Sequence, residues 1–255
     1  MDLRIQAIPA FADNYIWAVV GDRNCMLVDP GDAAGPLNFL AEHDLALVAV
    51  LLTHHHADHT GGVERLLAAH EAPVWGPEDS RMPAGTRFVH ENEQIEIEAL
   101  ELAFRVIATP GHTSSHIAFY GHDWLFCGDT LFSAGCGRLF EGTPAQMQHT
   151  LDKLAALPDS TRVFCAHEYT VSNCDFARRV EPDNLDLARR CDEVAQLRRR
   201  DRITLPSTIG AERSFNPFLR TREPAVIKAA LRREPETDTT PEAVLGVIRR
   251  WKDAA

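Results

Sequence analysis

Up to about residue 170 the chain alternates short apolar runs with turn signals; beyond it the apolar positions fall into longer, helix-spaced stretches. The runs Leu3–Ile8, Tyr15–Val20, Met26–Val28, Leu47–Leu52, Leu102–Ile107, Ile117–Tyr120, Trp124–Cys127 and Val163–Ala166 are rich in β-branched and aromatic residues, with G-D, D-P-G and P-G-H breakers beside them. Such runs predict strands. Helices are predicted over Pro36–His43, Gly62–Glu71 and Pro144–Leu157, the last with Pro144 in its first turn behind Thr143 as N-cap. From Asn184 to Asp201, the apolar residues Leu185, Ala188, Val194, Ala195 and Leu197 gather near one side of a long helix. Pro224–Leu231 and Pro241–Lys252 read as two more helices. The pattern predicts an α/β first domain, residues 1–171, and a smaller helical C-terminal domain, residues 172–255.

Composition narrows the classes. An apolar share of 45% and a charged share of 25% are those of a globular chain, which argues against disorder. No apolar run approaches the roughly 20 residues that a membrane span needs. The opening M-D-L-R-I-Q-A lacks the apolar core of a secretory signal, so the expected location is cytoplasmic. Six cysteines are scattered without a C-x-x-C pair, which predicts reduced thiols and no thiolate metal site. A net charge of −11 argues against a nucleic-acid partner. A monomer is expected.

The chemistry concentrates at T-H-H-H-A-D-H-T-G-G, positions 53–62, directly after the apolar run V-A-V-L-L. In extended chain His54 and His56 point to one side and His55 to the other. Asp58 and His59 follow as the chain turns, and Gly61-Gly62 permit close backbone approach. A solvated loop with incidental histidines explains this spacing poorly; a metal site explains it well. Three further donors each lie just after a predicted strand: His112 in T-P-G-H-T, Asp129 in C-G-D-T and His167 in C-A-H-E-Y. His43, His55, His70, His90, His116, His122 and His149 are read as structural.

With L-V-D-P-G-D at 27–32, these motifs resemble the metallo-β-lactamase superfamily. The segments F-A-D-N-Y (11–15), G-C-G-R-L-F-E-G (135–142), A-H-E-Y-T-V-S-N (166–173) and N-P-F-L-R (216–220) look like the hydroxyacylglutathione hydrolases, the glyoxalase II family within it. The resemblance spans nearly the whole chain. It implies a four-layered αββα sandwich with a smaller α-helical C-terminal domain that contributes to a glutathione site. It also implies two divalent metal ions, with zinc expected first and iron or manganese as alternatives. His54, His56, His112 and Asp129 would hold one, and Asp58, His59, Asp129 and His167 the other, so that Asp129 bridges. Asp29 would accept a hydrogen bond that orients a ligating histidine.

The implied reaction is hydrolysis of the thioester S-D-lactoylglutathione to glutathione and D-lactate, the second step of methylglyoxal detoxification. A water between two metals has its pKa lowered toward neutrality and can attack the thioester carbonyl, with Asp58 orienting it. The thiolate leaving group needs no strong acid, because its parent thiol titrates near pH 8.5. Arg138, Tyr169, Arg249 and Lys252 match the family's substrate contacts, and glutathione's two carboxylates call for such cations. Lys252 is one of only three lysines, against 23 arginines. Many family members carry lysine where Arg138 stands and tyrosine where Phe140 stands. The alternatives are a persulfide dioxygenase-like enzyme with one iron, and a non-catalytic metal-binding protein of the same fold. Exported β-lactamases and nucleic-acid-processing relatives fit the chain less well.

Overall fold

The computed structural model describes residues 3–255, which fall into two compact units. The first holds the chain up to Ala108 together with Ser115–Gly128; the second holds Thr109–Ser114 and Asp129–Ala255. This division by contact places Thr109–Ser114 and Asp129 with the helical C-terminal part, whereas the change in apolar pattern falls near residue 171.

The first unit opens with an antiparallel meander, β1 (Arg4–Ala10), β2 (Asn14–Val20) and β3 (Asn24–Val28). Helix α1 (Ala34–Glu42) then carries the chain to β4 (Ala46–Leu51), which pairs parallel with β3. The short α2 (Ala57–Thr60) and α3 (Val63–Ala69) lead to β5 (Val74–Pro77), and β6 (Arg87–Val89) closes a sheet of order β1-β2-β3-β4-β5-β6. Every residue of β2 is buried, as in a strand covered on both faces. Ile16, Ala18 and Val20 face one core with Leu27, Val50, Leu52, Phe39, Leu40 and Leu66, so α1 and α3 cover that side. Alternation turns Tyr15, Trp17 and Val19 to the other side, and these are buried as well. A second sheet runs in antiparallel order through β7 (Gln94–Ile97), β8 (Leu102–Ala108), β9 (Ile117–Gly121) and β10 (Trp124–Gly128). The Asn24 side chain donates to the Ala99 carbonyl in the turn before β8, at 2.8 Å, and ties the first sheet to the second.

The second unit begins after β10 with a small hairpin, β11 (Leu131–Phe132) and β12 (Gly135–Cys136). Helix α4 (Pro144–Ala155) has the expected Thr143 cap, completed by Gln146 as a capping box. β13 (Arg162–Cys165) precedes α5 (Thr170–Val180), and α6 (Leu185–Arg198) is capped by Asn184. β14 (Ser207–Thr208) pairs with β13, followed by α7 (Ile209–Phe215), α8 (Pro224–Arg233) and α9 (Pro241–Asp253). The predicted long helix Asn184–Asp201 is this α6, shorter at its C-terminal end. Asn216 of N-P-F-L-R holds the hairpin: its side-chain amide donates to the Phe132 and Gly135 carbonyls, both at 3.0 Å. Buried Glu212 accepts from that same amide and from the Ala134 backbone N–H.

The strand expectations hold, and β5, β6, β7, β11, β12 and β14 with α2, α5 and α7 are additions. The reasons are local. V-W-G-P ends in breakers, Q-I-E-I alternates but is short and half polar, and T-V-S-N-C-D-F-A-R-R-V carries polar residues on its buried face.

Candidate functional site

In the first unit the loops after β3 and β4 carry the chemistry. Asp29 stands directly after β3 with φ 51°, a left-handed backbone that costs an ordinary residue of order 1 kcal/mol or more. Its carboxylate holds it there. Oδ1 accepts from the Thr53 N–H at 2.8 Å, and Oδ2 accepts from the Thr53 hydroxyl at 2.7 Å and lies 3.0 Å from His59 Nδ1. The same hydroxyl lies 3.0 Å from His54 Nδ1, so one buried carboxylate sets both imidazoles. Asp29 is thus placed beside His59. A metal-ligating histidine nearly always has its remote nitrogen fixed in this way.

The other ring nitrogens face donors of the same class. His54 Nε2 lies 3.0 Å from His56 Nδ1, and His59 Nε2 lies 3.5 Å from Asp58 Oδ2. Asn14, of F-A-D-N-Y, donates its amide to Asp58 Oδ2 at 3.0 Å. The backbones are close: a side chain at Gly31 would place its Cβ 1.8 Å from the Asp58 carbonyl oxygen, which no other residue could tolerate. His55 turns away as expected. It faces Asp79 at 3.6 Å, a carboxyl that the Arg81 guanidinium holds well below its usual range. His116, read as structural, stacks on His54 with ring centroids 4.7 Å apart.

In the second unit His112, Asp129 and His167 come together. Asp129 Oδ2 lies 3.4 Å from His112 Nε2, and Oδ1 lies 3.2 Å from His167 Nε2. One carboxylate thus offers one oxygen to each imidazole. The remote Nδ1 of His112 lies 2.9 Å from the Arg138 carbonyl. The His167 ring stacks on Tyr169 at 4.6 Å and 6°. Gly137 lets the chain pass this point, since a Cβ there would meet the Asp129 carbonyl oxygen at 1.9 Å.

A cavity of about 380 Å³ opens in this unit, lined by His112 and Asp129 together with Arg138, Phe140, Tyr169, Asn173, Arg249 and Lys252. All four residues expected to meet substrate line it. Their states differ. Arg138 is exposed, while Arg249 is 4% exposed and its Nη1 donates to the Cys136 carbonyl at 2.7 Å. Lys252 donates to the Asn173 side chain, and burial, then the Arg249 charge, lowers its pKa to about 8. Sequence reasoning missed Asn14, Thr53, Asn173 and Asp253. Asn14 and Asn173 lie inside motifs already in view, and Thr53 opens the histidine motif, but no spacing rule distinguishes such supports from their neighbours.

Comparison with known proteins fits this arrangement. Residues 11–167 match the model of the metallo-β-lactamase superfamily, and residues 168–255 match that of the hydroxyacylglutathione hydrolase C-terminus. A hydroxyacylglutathione hydrolase of Pseudomonas aeruginosa (strain LESB58) is 52% identical, over 98% of this chain and 99% of that protein. The chain belongs to the hydroxyacylglutathione hydrolase family. A second member, from Cupriavidus taiwanensis, is 51% identical over 98% of each. The fold is the metallo-β-lactamase fold with a helical C-terminal domain. The crystal structure of ETHE1 from Myxococcus xanthus shares it, with a TM-score of 0.66 at 24% identity over 100% of this chain and 99% of that one.

The donor set fits divalent metal ions, which this fold binds. Each unit presents buried imidazoles next to carboxylates, with remote nitrogens anchored by Asp29, Thr53 or a backbone carbonyl. Imidazole and carboxylate suit zinc, iron and manganese alike. None of the described helices is long and apolar enough to cross a membrane.

Proposed function

We propose that the chain hydrolyses S-D-lactoylglutathione and related 2-hydroxyacyl thioesters of glutathione, releasing glutathione and the 2-hydroxy acid. The observation that carries this reading is the second-unit cavity, where His112 and Asp129 share one lining with Arg138 and Lys252. Metal-type donors and carboxylate-receiving cations within one cavity suit a substrate that is anionic at one end and a thioester at the other. The 52% identity to hydroxyacylglutathione hydrolases supports the same reaction.

The proposed ligand sets are His54, His56, His112 and Asp129 for one ion, and Asp58, His59, Asp129 and His167 for the other, with zinc as the native metal. When bound, the metals supply a water of lowered pKa and an electrophile for the carbonyl. The chain supplies the rest. Asp58, held by Asn14, orients the attacking water, and Tyr169, stacked on His167, keeps that imidazole in place. Arg138 and Lys252 bind the glutathione carboxylates, with Arg249 behind them. Residues 1–171 carry the metal chemistry, and residues 172–255 complete the glutathione site. A cytoplasmic monomer belongs to this reading.

A thiol-release assay with S-D-lactoylglutathione on metal-analysed protein tests it. Thiol release that scales with metal content is expected; a metal-loaded sample that releases none would overturn it.

A further inference from the structure

We propose that Asp253 is a positioning residue that orients Arg138 as the carboxylate-receiving fork of the second-unit cavity, with Arg249 as its anchor. The inference rests on the glutathione reading above for the identity of the ligand.

The last turn of α9 brings Arg249, Lys252 and Asp253 to one place. Arg249 is consumed by the protein. Its Nη1 donates to the Cys136 carbonyl at 2.7 Å, and its Nη2 donates to Asp253 Oδ1 at 2.9 Å. The guanidinium also packs over the Phe218 ring at 5.3 Å, and its Nε is buried without a partner among the described residues. A group so enclosed contributes charge and rigidity to the cavity wall that it lines. Arg138 is the converse. Its side chain is 61% exposed, and its one ion pair runs from Nε to Asp253 Oδ1 at 3.3 Å. Neither of its Nη groups has a partner among the described residues.

Asp253 therefore joins the two arginines through a single oxygen. A guanidinium ion-paired on its Nε side keeps its end-on pair of Nη donors, which matches a carboxylate in two parallel hydrogen bonds. An unheld arginine on the surface would have to give up its rotamer freedom on binding. Asp253 does not line the cavity that Arg138, Arg249 and Lys252 line. It acts through Arg138, without touching the ligand itself. Without Asp253, Arg138 would be mobile and the C-terminal end of α9 would lose one tie to Arg249.

The test is a mutant cycle on the full chain with its metals, reading kcat and KM for S-D-lactoylglutathione and calorimetric binding of glutathione itself. Asp253→Asn keeps the shape and removes the charge; KM and the glutathione Kd should rise about fivefold while kcat stays within twofold. Arg138→Ala should raise them at least as much. The double variant Arg138→Ala/Asp253→Asn should be no worse than Arg138→Ala alone, because one residue acts through the other. Asp253→Glu should recover part of the loss. Arg138→Lys, which leaves α9 intact, keeps the charge without the fork and should also raise KM.

Unchanged KM in Asp253→Asn overturns the proposal, and so do factors that multiply in the double variant. A fall in kcat and thermal midpoint with KM unmoved would mean a structural role only and overturns it too. If Asp253→Asn does not fold, unchanged KM in Arg138→Lys overturns it. A wild-type protein that binds glutathione tightly while Asp253→Asn binds it equally well defeats this inference alone. A wild type that neither binds nor hydrolyses defeats the glutathione reading itself.

Discussion

The two units solve different physical problems. Around Asp29 the polar groups are tightly tied: buried Thr53, His54 and His59 are hung on one carboxylate, and a strained backbone is tolerated to keep it there. The cavity of the second unit combines exposed and enclosed cations. Its outer cation, Arg138, is exposed, while Lys252 is half-buried and Arg249 buried beside it. The difference teaches that the histidine cluster is built for geometry and the cavity for charge. Removing a group from the first should change chemistry, and removing a cation from the second should change binding.

The strongest break of that contrast is at Asp129, which offers an oxygen to both His112 and His167. Asp129→Ala should lose metal and lower kcat by roughly a thousandfold or more, as removal of shared charge stabilisation does. Metal analysis beside a steady-state assay reads both; full activity with two metals retained would refute the bridging role. Next comes Asp29→Ala, which should cost about 10- to 100-fold in metal affinity while the substrate KM stays near wild type. Competition with a chelator measures this, and unchanged metal retention would show that the hub is dispensable.

The cavity predictions are smaller and appear in KM. Lys252→Ala removes a half-buried charge-assisted contact and should raise KM roughly 10- to 100-fold with kcat nearly constant. If kcat collapses instead, the substrate has been placed wrongly. The same lysine predicts a pH dependence. With its pKa lowered to about 8, it is protonated below that pH and loses its charge above it, so KM should be flat below pH 8 and climb above. Lys252→Arg should flatten the climb. The smallest effect is expected at Phe140, 62% exposed and edge-on to His112 at 5.2 Å. Phe140→Tyr should lower KM by no more than about threefold, through one added hydroxyl contact.

Much of this arrangement can be read from the chain. The apolar runs locate the strands that carry the site, and Thr143-Pro144 announces α4 because its capping atoms lie within three residues of one another. Helix α5 is illegible for the opposite reason. Its buried face is Thr170, Asn173, Cys174, Phe176, Ala177 and Val180, in which polar groups are satisfied by distant partners such as the Ser133 carbonyl. In the candidate site, His54, His56, Asp58 and His59 declare themselves by type and spacing. Asn14, Asp253 and Asn216 do not, since an asparagine or aspartate on a surface loop looks the same as one that holds a functional group in place.

By itself the sequence picked out the candidate groups for the chemistry. Donors clustered within one strand-to-helix turn need no tertiary contact to be neighbours, and the family motifs extend that reading to His112, Asp129 and His167. Only the tertiary structure decided what each donor leans on. Asp29 meets Thr53 and His59 across 24 and 30 residues of chain, and Arg249 meets Cys136 across 113. Those pairings depend on how the elements pack, and packing alone separates an arginine whose donors are spent on the protein from one that still holds them out to a ligand.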